Sequence, residues 1–523
     1  MTLHSERFSG VKSLLNFSSI IVVILINTFI PILVAREDEW DGSIIDYGVS
    51  TGDLRGIRHW FFSAGVEFQY FFILLQSKFV SIFNIEFRIL NQILTVIFLS
   101  VLIRETYLLA NRYVGNSHVS SLLACLIFAL FPTWGLLVSS VLTFYIFSFA
   151  LAAFGTRKYF ESSSKVKESF SIALILVSLN YGSMTLYSLF LYIFLSINTR
   201  AKRRIFYQDK KFFVLAIVIV VFFLIQKIIN PGTGEYENYN DILNLQIFSD
   251  WVKFGTSVKH FLTFLLFPLA ASLISLLIWL FAQRFEKANS GIQFSKENYR
   301  KFASIILLFC ASSFPYCAVG KSAHFLFLSS WSGRHGFVVS QSVALLTVLP
   351  FTILAKHIHR KLFNKVVTVF LFLILATECI LLNRNFTDKY FRGYLVSSIQ
   401  ITLSQDQIFV PPGKLQVVLK NLPEGFLFRD YEANYISWKS FGNSNHYTSI
   451  TRDFIQDFKI PSDILENGNQ AVKYIFTPPP VVCSSEIILR APIFQKKSTW
   501  IAYALIIDSR DPLKIDSLQT ICP

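Results

Sequence analysis

The chain has 523 residues, 53% hydrophobic, 16% aromatic and 15% charged, with a mean hydropathy of +0.50. Soluble domains carry about 45–50% apolar and about 25% charged residues, so this composition argues against a water-soluble fold and for a polytopic membrane protein. The net charge of +15 does not mark a nucleic-acid binder: the Lys and Arg residues fall in short loops between apolar runs, not on one soluble face.

The first apolar run, Leu14 to Val34, reads as an uncleaved transmembrane helix with Arg7 and Lys12 on its cytoplasmic side, because no small-residue cleavage site follows it. A polar loop comes next, and it opens with Arg36-Glu37-Asp38-Glu39-Trp40-Asp41-Gly42, four acids within five residues. Such density at the mouth of a membrane helix is hard to explain as packing. A carboxylate there can act as general base for an acceptor hydroxyl, and Asp38 and Asp41, three residues apart, can share a helix face and ligate Mg2+ or Mn2+ through oxygen. The competing reading is a solvated loop whose acids pair with Arg36, Arg55 and Arg58. Asp46, Asp53 and His59 lie in the same loop.

Val66–Phe87 is aromatic but broken by Gln69, Gln76, Lys78 and Glu86; it either spans or lies along the membrane surface. The expected spans after it are Arg88–Ala110, two within Val119–Phe154 on either side of Pro132, and two short ones within Ser169–Ile197, broken at Asn180-Tyr181-Gly182-Ser183. Phe212–Ile229, His260–Ala282, Phe302–Val319, Phe337–Ala355 and Val366–Leu382 follow. With Val66–Phe87 on the outer surface, every strongly basic loop falls inside, and the acidic loop Asn230–Val258 falls outside. The positive-inside bias therefore favours about eleven spans, a cytoplasmic N-terminus and an outer-face C-terminus.

Asn383 to Pro523 is different material, with strand-like runs at 415–419, 474–476, 486–489 and 500–507 separated by Pro411-Pro412-Gly413 and Pro478-Pro479-Pro480. The expected organisation is a transmembrane domain, 1–382, whose first outer loop is 35–87, followed by a β-rich or α/β extracytoplasmic domain, 383–523. Cys483 and Cys522 lie in this tail and can pair outside the membrane. No CxxC or Cys/His metal spacing occurs.

A second charged constellation is Gly320-Lys321-Ser322-Ala323-His324 with Ser330-Trp331-Ser332-Gly333-Arg334-His335-Gly336. It falls on the same expected face as the acids. Lys321, Arg334 and His335 suit a phosphate or pyrophosphate, Arg as a planar fork and Lys as a point charge. Trp331 can stack on a sugar or sit in the interfacial aromatic belt, and the cations can instead snorkel to lipid head groups.

An α-helical polytopic protein with an acidic motif in its first outer loop resembles the GT-C glycosyltransferases, which use polyprenyl-phosphate-linked sugars. Asp38-Glu39-Trp40-Asp41 stands where that superfamily carries its catalytic acids. Val66–Phe87 resembles its juxtamembrane helix, and Ser330–His335 its later outer-loop motif. The resemblance covers roughly Leu14–Leu382 and lacks a clean Asp-Asp pair. It implies catalytic acids among Asp38, Glu39 and Asp41, and donor-phosphate binding by Lys321, Arg334 and His335. Trp331, Arg58 and His59 are then the candidate substrate contacts. The expected partners are a polyprenyl-phosphate-linked sugar donor, a glycan or lipid acceptor and membrane lipid, at a bacterial inner membrane in cell-envelope polysaccharide biosynthesis. An O-antigen-type polymerase or ligase acting on undecaprenyl-pyrophosphate substrates is the alternative. A transporter fits less well, since Glu378 is nearly alone as an ionisable residue within the spans.

Overall fold

The computed structural model describes residues 17–35, 41–115, 118–199, 209–229, 233, 246–266, 296–322, 331–354, 360–405, 408–422, 428, 430–442, 446–451, 483–492, 499–509 and 512–522. It is mostly helical, with a small sheet near the C-terminus. Among these residues three helices are long and apolar enough to cross a membrane: Phe87–Gly115, Ser140–Glu161 and Lys296–Ala318. A fourth is added if His118–Ala129 and Pro132–Val138, bent by 51° at their junction, form one span. The expected eleven spans are not reached by this measure, and residues 14–16, 267–282 and 355 of them lie outside the described set.

Helix α1 (Ser18–Val34) carries a π-helical turn at Leu25–Phe29 just before Pro31. The acid-bearing loop then folds into α2 (Asp41–Thr51) and α3 (Arg55–Ser63). Gly65, at φ +68°, reverses the chain into α4 (Glu67–Phe83). Helix α4 is amphipathic in the inverted sense. Gln69 and Gln76 are buried, whereas Phe71, Leu75, Ile82 and Phe83 are more than half exposed. In water this arrangement is unfavourable by about 25 cal/mol for each Å² of apolar surface left exposed; in lipid that cost vanishes and the glutamines find their partners inside. Gln76 donates to Asn91 Oδ1 at 2.9 Å, and Tyr181 donates to Gln69 Oε1 at 2.8 Å.

The bundle continues with α5 (Phe87–Leu109) and α6 (His118–Ala129), then two 3-10 segments, Pro132–Val138 and Ser140–Leu142. After them come α7 (Thr143–Glu161), α8 (Lys165–Ser178), α9 (Ser183–Asn198), α10 (Lys210–Ile229) and the helical residues 251–266, α11. Helices α12 (Lys296–Ala318), α13 (Val339–Leu354) and α14 (Arg360–Leu403) complete it. Gly135 packs so tightly on α14 that an added Cβ would stand 2.5 Å from Asn385 Cβ. Away from the 3-10 segments, Arg157 of α7 is buried between Glu105 and Glu161, and Arg112 pairs with Glu161 at 2.7 Å. Glu378 is therefore joined by Glu105 and Arg157 as buried ionisable groups of the bundle, a pair that the apolar runs around them conceal in the sequence.

Helix α14 runs unbroken across position 382, so the expected division at 382/383 falls inside a helix. Beyond it, β1 (Gly413–Lys420), α15 (Asp430–Phe441), β2 (His446–Thr451), β3 (Cys483–Arg490), α16 (Trp500–Ser509) and β4 (Lys514–Ile521) form a four-stranded sheet in the order β2-β1-β3-β4 with its helices. Strand β1 is parallel to both β2 and β3, and β4 is antiparallel to β3. The expected runs at 415–419 and 486–489 are strands. The run at 500–507 is helical instead: Trp500 and Tyr503 turn one face onto Tyr390 and Phe391 of α14 at ring distances of 6.0 and 5.5 Å. The tail is thus α/β in character. Residues 474–476 lie outside the described set. Cys483 and Cys522 form a disulfide with Cα atoms 4.3 Å apart, joining the start of β3 to the end of β4.

Candidate functional site

Helix α12 ends in a Schellman motif. Gly320, at φ +66°, gives its N–H to Cys317 O at 2.9 Å, and Lys321 N–H reaches back to Tyr316 O at 2.9 Å. The turn folds Lys321 back over the helix end and half-buries it. Residues 331–336 return as a 3-10 helix that packs on Pro132–Val138, α12 and α13. Gly336 is needed there, since a Cβ would come within 2.8 Å of Phe264 and 3.3 Å of Thr133.

Lys321, Arg334 and His335 are thereby brought close enough to act on one another electrostatically. Burial, and then the Arg334 charge, pull the Lys321 ammonium down to about 7. Burial and the same charge hold His335 well below the usual histidine range, so its ring is neutral. His335 Nδ1 lies 3.1 Å from Ser322 O, and its ring stacks on Tyr316 at 4.6 Å. A neutral ring donating from Nδ1 to a carbonyl leaves Nε2 as an acceptor. His335 thus holds Ser322, the neighbour of Lys321, through Nδ1.

Tyrosines form the rest of this surface. Tyr316 donates to Ser183 Oγ at 2.9 Å, and Tyr145 OH lies 3.4 Å from the same atom. The Tyr145 and Tyr181 rings meet at a tilt of 48° with centroids 4.5 Å apart, and the Arg334 charge acts on both. The turn between α8 and α9, read from sequence as a break in a span, thus belongs to the cluster. Tyr145 and Tyr316 escape sequence reading because, inside apolar runs, they resemble ordinary span residues, and Tyr181 and Ser183 show there only as a break.

Of the acidic motif, Asp38 and Glu39 lie outside the described residues, and Asp41 is placed only as the first residue of α2. Helix α2 itself is fixed by its packing. It packs on Ser140–Leu142, the segment continuous with Pro132–Val138, which touches 331–336. One stretch of chain, 132–142, therefore lies between the acid-bearing helix and the cationic cluster. Helix α2 is also held from the tail. Buried Asp46 accepts from Tyr435 and pairs with Lys439 at 3.3 Å, and Tyr47 meets Trp438 edge-on at 4.7 Å. Asp46 is thereby a docking residue.

The expected substrate contacts are less gathered. Arg58 is exposed on α3 with its guanidinium 5.5 Å from the Phe62 ring, and His59 is half-buried beside it. Trp331 opens the 3-10 helix, and its side chain is not among those described. Among the described residues no group of three or more His, Cys, Asp or Glu is placed to hold a metal ion. The Mg2+ or Mn2+ expectation on Asp38 and Asp41 falls on side chains outside the described set. No protein family matches the chain, and no characterised protein or solved structure does either.

Proposed function

We propose that the protein is a membrane glycosyltransferase that moves a sugar from a polyprenyl-phosphate carrier to a glycan or lipid acceptor at the extracytoplasmic face. The observation that carries this reading is the packing of the Lys321 turn and the Arg334-bearing 331–336 helix into one partly buried, tyrosine-lined cluster. That cluster sits across the 132–142 segment from the helix that Asp41 opens. Cations in such a setting favour a phosphate whose charge grows as a glycosidic bond breaks. Helix α4, with its apolar face outward, suits a substrate delivered from lipid.

In this reading an acid of the 38–41 motif, Asp38 or Asp41, takes the proton of the acceptor hydroxyl. The freed oxygen forms a bond to the anomeric carbon while the bond from that carbon to the phosphate oxygen breaks. The electron pair leaves with the lipid phosphate, where Arg334 and Lys321 balance it. His335 keeps the Lys321–Ser322 turn in place. The test is transfer from an undecaprenyl-phosphate sugar by purified protein in nanodiscs. Asp38→Ala and Arg334→Ala should each lower turnover by at least about 100-fold with thermal stability retained. Full activity in either variant refutes the role given to that residue.

One observation favours a second reading. The described polar side chains named in the cluster include cations, phenols, an imidazole and hydroxyls but no carboxylate, which suits a polymerase or ligase acting on an undecaprenyl-pyrophosphate substrate. Under that reading the Asp38→Ala/Asp41→Ala double variant stays active and Arg334→Ala does not.

A further inference from the structure

The turn at Asn180–Ser183 is built differently from an ordinary connection between spans. Helices α8 and α9 have 14 and 16 residues, about 21 and 24 Å at roughly 1.5 Å per residue, short of the ~30 Å hydrocarbon core of a bilayer. In the membrane reading a turn joining them lies below the bilayer surface, where polar groups must find partners in protein or ligand. Most of its groups do. Asn180 Oδ1 accepts from Phe68 N–H at 3.1 Å, supplying the second residue of α4 with a cap that the N-cap residue, Val66, does not provide. Tyr181 bonds Gln69, and Ser183 Oγ accepts from Tyr316. One donor is left over: Asn180 is 4% exposed and its Nδ2 has no partner. The amide cannot simply be turned round, because the bond from Phe68 N–H fixes which end is the oxygen. Ser183, with an incoming bond from Tyr316 and only a long contact to Tyr145, keeps its own proton available.

We infer that the Asn180–Ser183 turn is a second wall of the anion site, giving Asn180 Nδ2–H and Ser183 Oγ–H to the phosphate group that Arg334 and Lys321 hold from the other side. The ligand class is a phosphate monoester or diester at sub-surface depth. Its source is a lipid head group or a free phosphate, and the two share this chemistry. This inference rests on the phosphate reading of the Arg334 cluster and adds a neutral, hydrogen-bonding half to it. Cations give affinity without geometry; two fixed neutral donors select oxygen positions, and Asn180 ties that selection to the end of α4.

The test uses full-length protein in nanodiscs, with binding of undecaprenyl phosphate and of inorganic phosphate measured separately by native mass spectrometry. Asn180→Asp keeps an oxygen for Phe68 N–H and replaces the spare donor with a carboxylate, so α4 stays capped while the site becomes repulsive. Ser183→Ala removes the second donor at almost constant volume. The expected result is a loss of about tenfold or more in affinity for each variant in protein that still unfolds cooperatively, with a lower thermal midpoint in Ser183→Ala because the Tyr316 hydroxyl loses its acceptor. A loss for undecaprenyl phosphate alone supports a lipid head group, and a parallel loss for inorganic phosphate supports a site for the phosphate group itself. Wild-type binding of both probes by both variants, with binding abolished in Arg334→Ala, overturns the second wall and leaves the phosphate reading intact. Wild-type binding by Arg334→Ala overturns the phosphate reading, and this inference with it.

Discussion

Lys321 shows how a single residue is tuned by where its helix stops. Gly320 adopts a left-handed conformation at little cost, the chain folds back, and an ammonium that would otherwise snorkel to water is partly buried beside a guanidinium. With its titration drawn down to about 7, Lys321 is a full cation below that pH and loses its charge above it. Binding of undecaprenyl phosphate should therefore weaken as pH rises from 6 to 8.5. In Lys321→Arg the affinity should not show this fall, because a guanidinium keeps its proton while the phosphate monoester only gains charge over the same range. A titration at fixed ionic strength measures this, and a wild-type profile that follows the variant's would remove Lys321 from the phosphate contacts. Charged residues at the mouths of apolar runs stand out in a sequence, so Lys321 and Arg334 could be found there. Tyr145, Tyr181 and Tyr316 could not, because a phenol reveals its role only through its neighbours.

Among the elements, α4 and the 132–142 segment organise the site. Sequence pattern foretold a helix near 66–87 that does not behave like its neighbours. Which face it buries is a tertiary matter, decided by Asn91, Tyr181 and the carbonyl of Val141, which accepts from Gln69 at 3.4 Å. Pro132 likewise signalled a break. The break proves to be two 3-10 segments, the first of them pressed against α14, with Asn385 donating to Pro132 O. The run at 500–507 misled because a short apolar stretch rich in Ile and aromatics fits either period, and only packing on α14 chooses. Gly135 tests this packing. In Gly135→Ala the new Cβ would stand 2.5 Å from Asn385 Cβ, within van der Waals radii, so α14 or the 3-10 segment has to shift. Overpacking of this kind costs about 1–3 kcal/mol. Thermal unfolding in detergent should show it, with Gly182→Ala as the control, since nothing lies within 4 Å of a Cβ there. Equal midpoints for the two variants would mean that the contact yields freely.

At the scale of the whole molecule, the two ends of the bundle differ in kind. The site end carries α2, the 180–183 turn, Lys321 and the 331–336 segment, and the tail domain locks onto it through Asp46, Tyr435 and Lys439. Helix α15, which supplies Tyr435 and Lys439, is itself held to α14 by a buried two-point pair, Arg392 to Glu432 at 2.8 and 2.9 Å. At the other end Arg112, Glu161, Lys211 and Lys301 meet one another's helices, as when Lys301 donates to Val114 O at 2.9 Å and Lys211 pairs with Glu168 at 2.7 Å. Charge counting separates these ends in the sequence, but the docking of the tail onto the first loop joins residues almost four hundred positions apart and has no sequence pattern of its own. If the basic end faces the cytoplasm, the tail disulfide forms in an oxidising compartment. In cells producing the protein with Cys125, Cys310, Cys317 and Cys379 replaced by Ser, a maleimide-PEG reagent added under denaturing conditions without reductant should then modify neither remaining thiol, and both after reduction. Cys483 and Cys522 are 39 positions apart, a loop whose closure is worth about 4 kcal/mol in the chain-entropy account. Replacing both by Ser should accordingly expose the β3–β4 edge to limited proteolysis while leaving the bundle resistant. Two thiols modified before reduction would place the tail, and the site end docked to it, on the cytoplasmic side, and the extracytoplasmic acceptor would have to be abandoned.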